Sequence, residues 1–291
     1  MTNDDFATSR PTLLAVLAHP DDETFGIGGT LAYYARKGIN VYLVCATRGD
    51  VGDVDPKYME GFATVAERRQ HELRCAARIL GLSAVYFLDY RDSGMPGSPD
   101  NHHPRALAAA PREKVVAEVA HYIRLLRPHV VITFDPLGGY MHPDHIAIHQ
   151  ATVSAFHAAA KSDYYPEDLP PHQAQKLYYS IIPRTFLRPM VRIMRLLGKD
   201  PSKFGKNGDI DLAAVAAVNL PVHAVIDYRI VARERDQAAA CHVSQGGAKI
   251  GGGIFWLSIR RLFASHETFM QGYPEPQPGV IIKDLFDGVR L

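Results

Sequence analysis

The sequence predicts an α/β fold, a doubly wound and mostly parallel sheet with a less regular C-terminal α+β portion, on two observations. Short apolar runs alternate with amphipathic stretches, and the alternation stops near residue 160. The runs are Thr12 to Ala18 (TLLAVLA), Asn40 to Ala46 (NVYLVCA), Ala84 to Leu88 and His129 to Phe134 (HVVITF), each of a length that suits a buried strand. Between them, Gly28 to Lys37, Tyr58 to Leu80 closed by Gly81, and Arg112 to Leu126 closed before Pro128 carry apolar residues at three- and four-residue spacing and read as helices. Strand, helix and strand in succession imply parallel pairing through right-handed crossovers, so the core is Rossmann-like. Beyond it, Pro166, Pro170 and Pro171 interrupt the pattern. Leu177 to Ile182 and Val222 to Ile226 read as strands, and Leu187 to Leu197 and Tyr228 to His242 as helices. One domain is expected over 1–291, with 12–160 as its core and 161–291 shaping a pocket.

Charge excludes some partners. Basic and acidic side chains number 32 and 31, a net of +1, so no overall field recruits nucleic acid or an anionic membrane. A small-molecule substrate is expected, and a homo-oligomer is compatible with the sequence. No apolar run approaches the roughly 20 residues that a membrane span needs, and Met1 to Pro11 is polar and acidic, so neither span nor export is expected. Cys45, Cys75 and Cys241 are far apart without paired spacing, which suggests free thiols in a reducing cytoplasm.

Two His/Asp clusters carry the chemistry. His19-Pro20-Asp21-Asp22-Glu23 follows the first strand, and His142-Pro143-Asp144-His145 follows HVVITF after the turn Gly138-Gly139. In a parallel sheet, ligands bind beyond the carboxyl ends of the strands, where both clusters fall. A catalytic zinc takes three protein ligands and keeps a fourth position for water; two histidines and one aspartate supply that set. Of the adjacent acids Asp21 and Asp22, one binds metal while its neighbour accepts a proton from water. His142 then serves the developing oxyanion or the leaving amine, and Asp144 orients that imidazole. Ligand type leaves the metal open, because two histidines and a carboxylate also form the facial triad of non-haem iron oxygenases.

At these residues the chain resembles the LmbE-like or PIG-L family of zinc deacetylases, marked by A-H-P-D-D-E after the first strand and H-P-D-H after the fourth. Ala18 to Glu23 and His142 to His145 match both. The likeness extends to Thr47-Arg48-Gly49, Arg69-x-x-Glu72, Asp92-Ser93-Gly94-Met95 and Asp135-Pro136-x-Gly138-Gly139-Tyr140. In this wider pattern the chain is similar to the branch that deacetylates N-acetylglucosaminyl-inositol, with amidases of thiol conjugates as relatives. The resemblance implies Zn2+, with other divalent metals such as Fe2+ as alternatives, held by His19, Asp22 and His145. It implies Asp21 as general base, His142 as acid or oxyanion donor, Tyr140 against the reacting carbonyl, and Arg69 and Asp92 on sugar hydroxyls. Its amidase members carry a lysine shortly after the first motif; Gly26 stands there, which favours simple deacetylation. Cys241-His242-Val243-Ser244-Gln245 resembles the family's A-H-x-S-Q, and His242 is expected to satisfy carbonyls at a helix end.

Three other segments are given structural readings. Asn101-His102-His103 is expected in a solvated loop. The basic, amphipathic stretch Arg184 to Lys199 is expected to pack its apolar face on the core, and Gly246 to Gly253 lacks the pattern of a phosphate loop.

Overall fold

A computed structural model describes residues 10–164, 169–182, 184–204, 208, 210–247 and 265–291, without the side chains of 184–186. Pro166 and the stretch from 248 to 253 lie outside the described residues. The described residues form one seven-stranded sheet in the order β3-β2-β1-β4-β5-β7-β6. β1 (Thr12–Leu17), β2 (Asn40–Thr47), β3 (Ala84–Tyr90), β4 (Val130–Phe134) and β5 (Lys176–Ile181) are parallel, and β7 (His266–Tyr273) runs antiparallel to both β5 and β6 (Ala224–Asp227). β1 is an interior strand between β2 and β4, Leu13 to Val16 are wholly buried, and Leu13, Leu14 and Ala15 pair with Val130, Val131 and Ile132 of β4. Burial on both faces is why this run is continuously apolar and not alternating.

The helices cover both faces, as the alternation predicts. α1 (Asp22–Arg36), α2 (Val65–Leu80) and α8 (Ala232–Cys241) pack together, while α3 (Arg112–Leu126) packs on α5 (Pro143–Ala158), which the short α4 (Gly138–Met141) precedes. β1 leads outward to β2 and β3 with helices on one face, and the chain returns through β4 to β5 with helices on the other. The direction of winding reverses between β1 and β4, which opens a crevice at their carboxyl ends. His19 and His142 to His145 follow these two strands.

Several boundaries differ from the sequence reading. α1 starts at Asp22, six residues before the expected Gly28, and its backbone departs from helical geometry at Ile27 (φ −140°), so the expected helix is its second segment. α2 starts at Val65 because Thr64 and Glu67 form a reciprocal capping box; Pro56–Tyr58 is a separate short turn of helix. α5 was not expected: Ile148, Ala151, Ala155 and Phe156 are buried, but so are His149 and Thr152, so no polar face marks its period. β7 was not expected either. α6 (Arg184–Leu196) occupies the basic amphipathic stretch and packs Leu187 and Val191 against Leu212 and Val215 of α7 (Leu212–Ala217).

The cysteine reading is corrected. A disulfide joins Cys75 of α2 to Cys241 of α8 across 166 residues of sequence, and Cys45 alone is a buried free thiol. The packing of α2 on α8 sets this pairing, which spacing along the chain cannot reveal. It also removes the cysteine argument for a reducing compartment. Among the described residues no helix is long and apolar enough to cross a membrane.

Candidate active site

His19 leaves the end of β1 and Asp22 opens α1 three residues later, its Oδ2 accepting from the His19 N–H at 2.7 Å. His145 lies in the first turn of α5, within a helix and not the expected loop. His19 Nδ1 and His145 Nε2 are 3.2 Å apart, and the Asp22 carboxylate lies 3.4 Å from the first and 3.3 Å from the second. Zinc at roughly 2.0–2.2 Å from each donor gives tetrahedral edges of about 3.3–3.6 Å, close to these separations, with Asp22 facing His19 through Oδ2 and His145 through Oδ1. The far side of each ring is also committed. His145 Nδ1 meets Gly138 O at 3.2 Å, and His19 Nε2 meets Asp144 Oδ2 at 3.0 Å, the supports that orient a ligating imidazole.

Electrostatics agree with a cation. Burial lowers the His19 pKa, but Asp92, Asp144 and Asp22 outweigh it and hold the ring well above its ordinary value. Two groups of donors among the described residues, His19, His142 and His145, and His19, Asp92, His142 and Asp144, have ligand atoms within 4.8 Å of one another. Asp144 is a poor ligand in the second, because Ser93 N (2.8 Å), Ser93 Oγ and His19 already occupy its oxygens.

That placement corrects the expectation for Asp144, whose carboxylate braces His19 where His142 was expected. Its backbone N–H, not its carboxylate, reaches His142, donating to Nδ1 at 3.2 Å as the cap of α5. The remaining proton of a neutral His142 is therefore on Nε2, and His142 lines the cavity. Burial, with His19 and His145 beside it, pushes its pKa down to about 2, so the ring is a neutral N–H donor.

Asp21 adopts φ 127° and ψ −28°, a conformation that L residues rarely take. Burial raises its carboxyl pKa to about 6 against the opposing pull of Arg69, with Asp22 adding to the rise. Arg69 is 4% exposed, so it is no solvated helix residue; Arg68 makes the pair with Glu72. Its Nη2 donates to Pro20 O at 2.7 Å and lies 3.1 Å from Asp21 Oδ2, and its Nη1 donates to Gly49 O at 3.1 Å. Gly49 is required for this arrangement: at φ +66°, a Cβ there would stand 2.2 Å from Nη1. Asp92 is buried, accepts from Gly94 N at 2.8 Å and lies 3.6 Å from His19 Nε2.

A cavity of about 340 Å³ opens over these groups, lined by His19, Asp21, Arg69, Asp92, Tyr140 and His142 together with Val51 to Asp53, Gly94, Met95, Ser98 and Gln245. Tyr140 sits edge-on to His145, its ring centroid 5.0 Å away, and burial raises its hydroxyl pKa, which keeps the proton on it. Gly26 is not among the residues that line the cavity. Asn101 holds the loop after β3 through Ser93 O and Met95 O, and among the described residues no metal-type cluster includes His102 or His103.

Sequence reasoning missed the supports beneath the site. Glu23 is buried, accepts from Asp21 N at 2.9 Å, and meets His242 Nε2 at 2.7 Å. His242, expected to serve helix-end carbonyls, is wholly buried and points its ring into the site's foundation. Ser93 and Glu23 both stand inside quoted motifs, so the motifs were the signal; their partners lie 51 and 219 residues away.

A central parallel sheet with a carboxylate beside a His-Asp-His triangle at its switch point is an arrangement suited to an α/β amide hydrolase. The chain belongs to the PIG-L family: residues 14–156 match it under the description GlcNAc-PI de-N-acetylase, and like its relatives the chain is a deacetylase. A 1D-myo-inositol 2-acetamido-2-deoxy-alpha-D-glucopyranoside deacetylase of Geodermatophilus obscurus is 38% identical over 86% of this chain and 87% of its own. N,N'-diacetylchitobiose deacetylase from Pyrococcus horikoshii superposes with a TM-score of 0.61 at 20% identity, covering 91% of this chain and 84% of that one. The 4-carboxy-2-hydroxymuconate hydratase of Pseudomonas putida KT2440 superposes at 0.58 and 17% identity over 93% and 99%. A hydratase on the same sheet means that fold alone does not choose the reaction.

Proposed function

We propose that this chain is a zinc-dependent hydrolase that removes the acetyl group of an N-acetylglucosaminyl-inositol-type glycoside. The observation that carries the reading is Asp21, a carboxylate outside the His19-Asp22-His145 triangle that lines the same cavity as His19, together with the matched relatives' substrate. His19, Asp22 and His145 would hold the metal, which when bound polarises the amide carbonyl and makes water a nucleophile at neutral pH. Asp21 takes the proton from the attacking water, and that proton is the one the departing amine needs. The His142 Nε2–H and the Tyr140 hydroxyl donate to the oxygen that gains charge, fixed donors in a partly closed cavity. The products are acetate and the free amino sugar.

Of the two residues assigned to sugar hydroxyls, Asp92 is better supported than Arg69, because both Arg69 Nη atoms are bonded to backbone carbonyls. Zinc is preferred to iron because two histidines and one carboxylate, with a base beside them, are a hydrolase set. The test is acetate release from N-acetylglucosaminyl-inositol with metal content measured in parallel. Asp21→Asn is expected to lower kcat about a thousandfold with one metal retained, and His145→Ala to lose the metal. A metal-loaded wild type that releases no acetate from any acetylated amino sugar would sink the substrate reading, and full activity in Asp21→Asn the base assignment.

A further inference from the structure

We infer that His242 is a positioning residue that holds Asp21 in its working conformation through Glu23, an inference that rests on Asp21 being the general base. Asp21 has a backbone conformation that persists only where its surroundings over-determine it. One constraint is the hydrogen bond from its own N–H to Glu23 Oε2 at 2.9 Å. Glu23 is wholly buried, and its other oxygen, Oε1, is shared between Thr24 Oγ1 and His242 Nε2. A buried carboxylate with only the loop's own N–H and a hydroxyl for partners would turn toward water and release Asp21. His242 supplies the missing donor.

The direction of the constraint follows from how His242 is anchored. Its segment is fixed to α2 independently of the catalytic loop: Cys241 is bonded to Cys75, and Ser244 donates through N (2.9 Å) and Oγ (2.7 Å) to Glu72. The His242 carbonyl accepts from Gln245 N and Gly247 N, and its ring packs near Phe25. These anchors on α2 lie outside the loop, so His242 constrains Glu23's position and, through it, that of Asp21. No ring atom of His242 borders the cavity, which separates this role from substrate contact.

The experiment compares His242→Gln with His242→Asn in the full chain with N-acetylglucosaminyl-inositol as substrate, following kcat, KM, bound zinc and the thermal transition. Glutamine sets an amide N–H where Nε2 stands, and asparagine sets it one position short. The asparagine variant is expected to lose about tenfold to a hundredfold in kcat with KM and metal content held, and the glutamine variant to recover most of it. In an Asp21→Ala background the asparagine substitution is expected to change the residual rate by less than about twofold. Equal kcat in the two variants overturns the inference. So does loss of metal or of the folded transition in both, or an undiminished asparagine effect without Asp21, since each makes His242 merely structural. If Asp21→Ala by itself leaves kcat intact, the base assignment has failed and takes the inference with it; if only the His242 variants are silent, the base assignment stands.

Discussion

The two loops that meet at the site are built by opposite means. The loop after β4 is self-contained: Asp135 accepts from Leu137 N and Gly139 N, Gly138 and Gly139 take positive φ, His142 caps α5, and Pro143 opens it. Proline at the first helical position and a capping acceptor one residue earlier are local signals. The loop after β1 closes on itself only in part, through Asp22 on the His19 N–H and Glu23 on the Asp21 N–H. Asp21 is held by Arg69 of α2 and, through Glu23, by His242 at the end of α8. A sequence written for the first loop is thus read only together with two distant helices, whereas the second is read almost by itself.

Two glycines, one beneath each loop, break the comparison open. Gly138→Ala at φ +64° puts a Cβ 2.8 Å from Ile146 N and 2.9 Å from His145 Cβ, so α5 must shift and His145 with it. Zinc affinity is expected to fall about a hundredfold and stability by roughly 1–3 kcal/mol, read by metal titration and thermal unfolding. Gly49→Ala displaces Arg69 instead and frees Asp21; kcat is expected to drop about tenfold or more while zinc remains bound. If the two variants traded phenotypes, with Gly49→Ala losing metal, the division between the loops would be wrong.

Asp144 sharpens the comparison, because it is the strut by which the second loop steadies the first. Its carboxylate joins His19 Nε2 to Ser93. Asp144→Asn keeps the shape and weakens the brace, so zinc affinity is expected to fall about tenfold to a hundredfold. A competition titration against a chelator measures it; a change confined to kcat with unaltered affinity would return Asp144 to the role first expected of it, beside His142.

The same contrast explains what was legible in the sequence. β1, β2 and β4 are buried on both faces and announce themselves as apolar runs, and with the helices between them they imply the order of the core. α5 hides because its buried His149 and Thr152 blur the apolar face, and the start of α1 hides inside the metal motif, where Asp22 and Glu23 look like loop acids. At the site, the clusters after β1 and β4 and the family pattern brought His19, Asp21, Asp22, His142 and His145 into one proposal, and the structure brings all five together. Residues that act through distant partners stayed dark. Cys75 and Cys241, His242 and Glu23, and Asp144 and His19 become neighbours only once α2, α8 and the two strands are packed.

The smallest expected effect tests whether α1 leans on the C-terminal segment at its far end as it does at Asp21. Tyr34 donates to Asp284 Oδ1 at 2.9 Å, Lys37 Nζ lies 2.9 Å from Oδ2, and the Tyr34 oxygen in turn accepts from Leu285 N. Burial would raise the Asp284 pKa, but the hydrogen bonds from Lys37, Phe286 N and Tyr34 outweigh it and hold the carboxyl below its ordinary value. A carboxyl with a depressed folded-state pKa stabilises the fold above its unfolded value, about 3.9, and that stability is lost as pH falls through the lower folded value. The group is partly exposed and screened, so its share is small, about 0.5 kcal/mol. Asp284→Asn is therefore expected to lower the thermal transition slightly at pH 7, and the gap from wild type should close as the pH is taken below 3.9. A gap that stays constant with pH would assign the effect to packing of the segment on Tyr34 and leave the charge without a part in it.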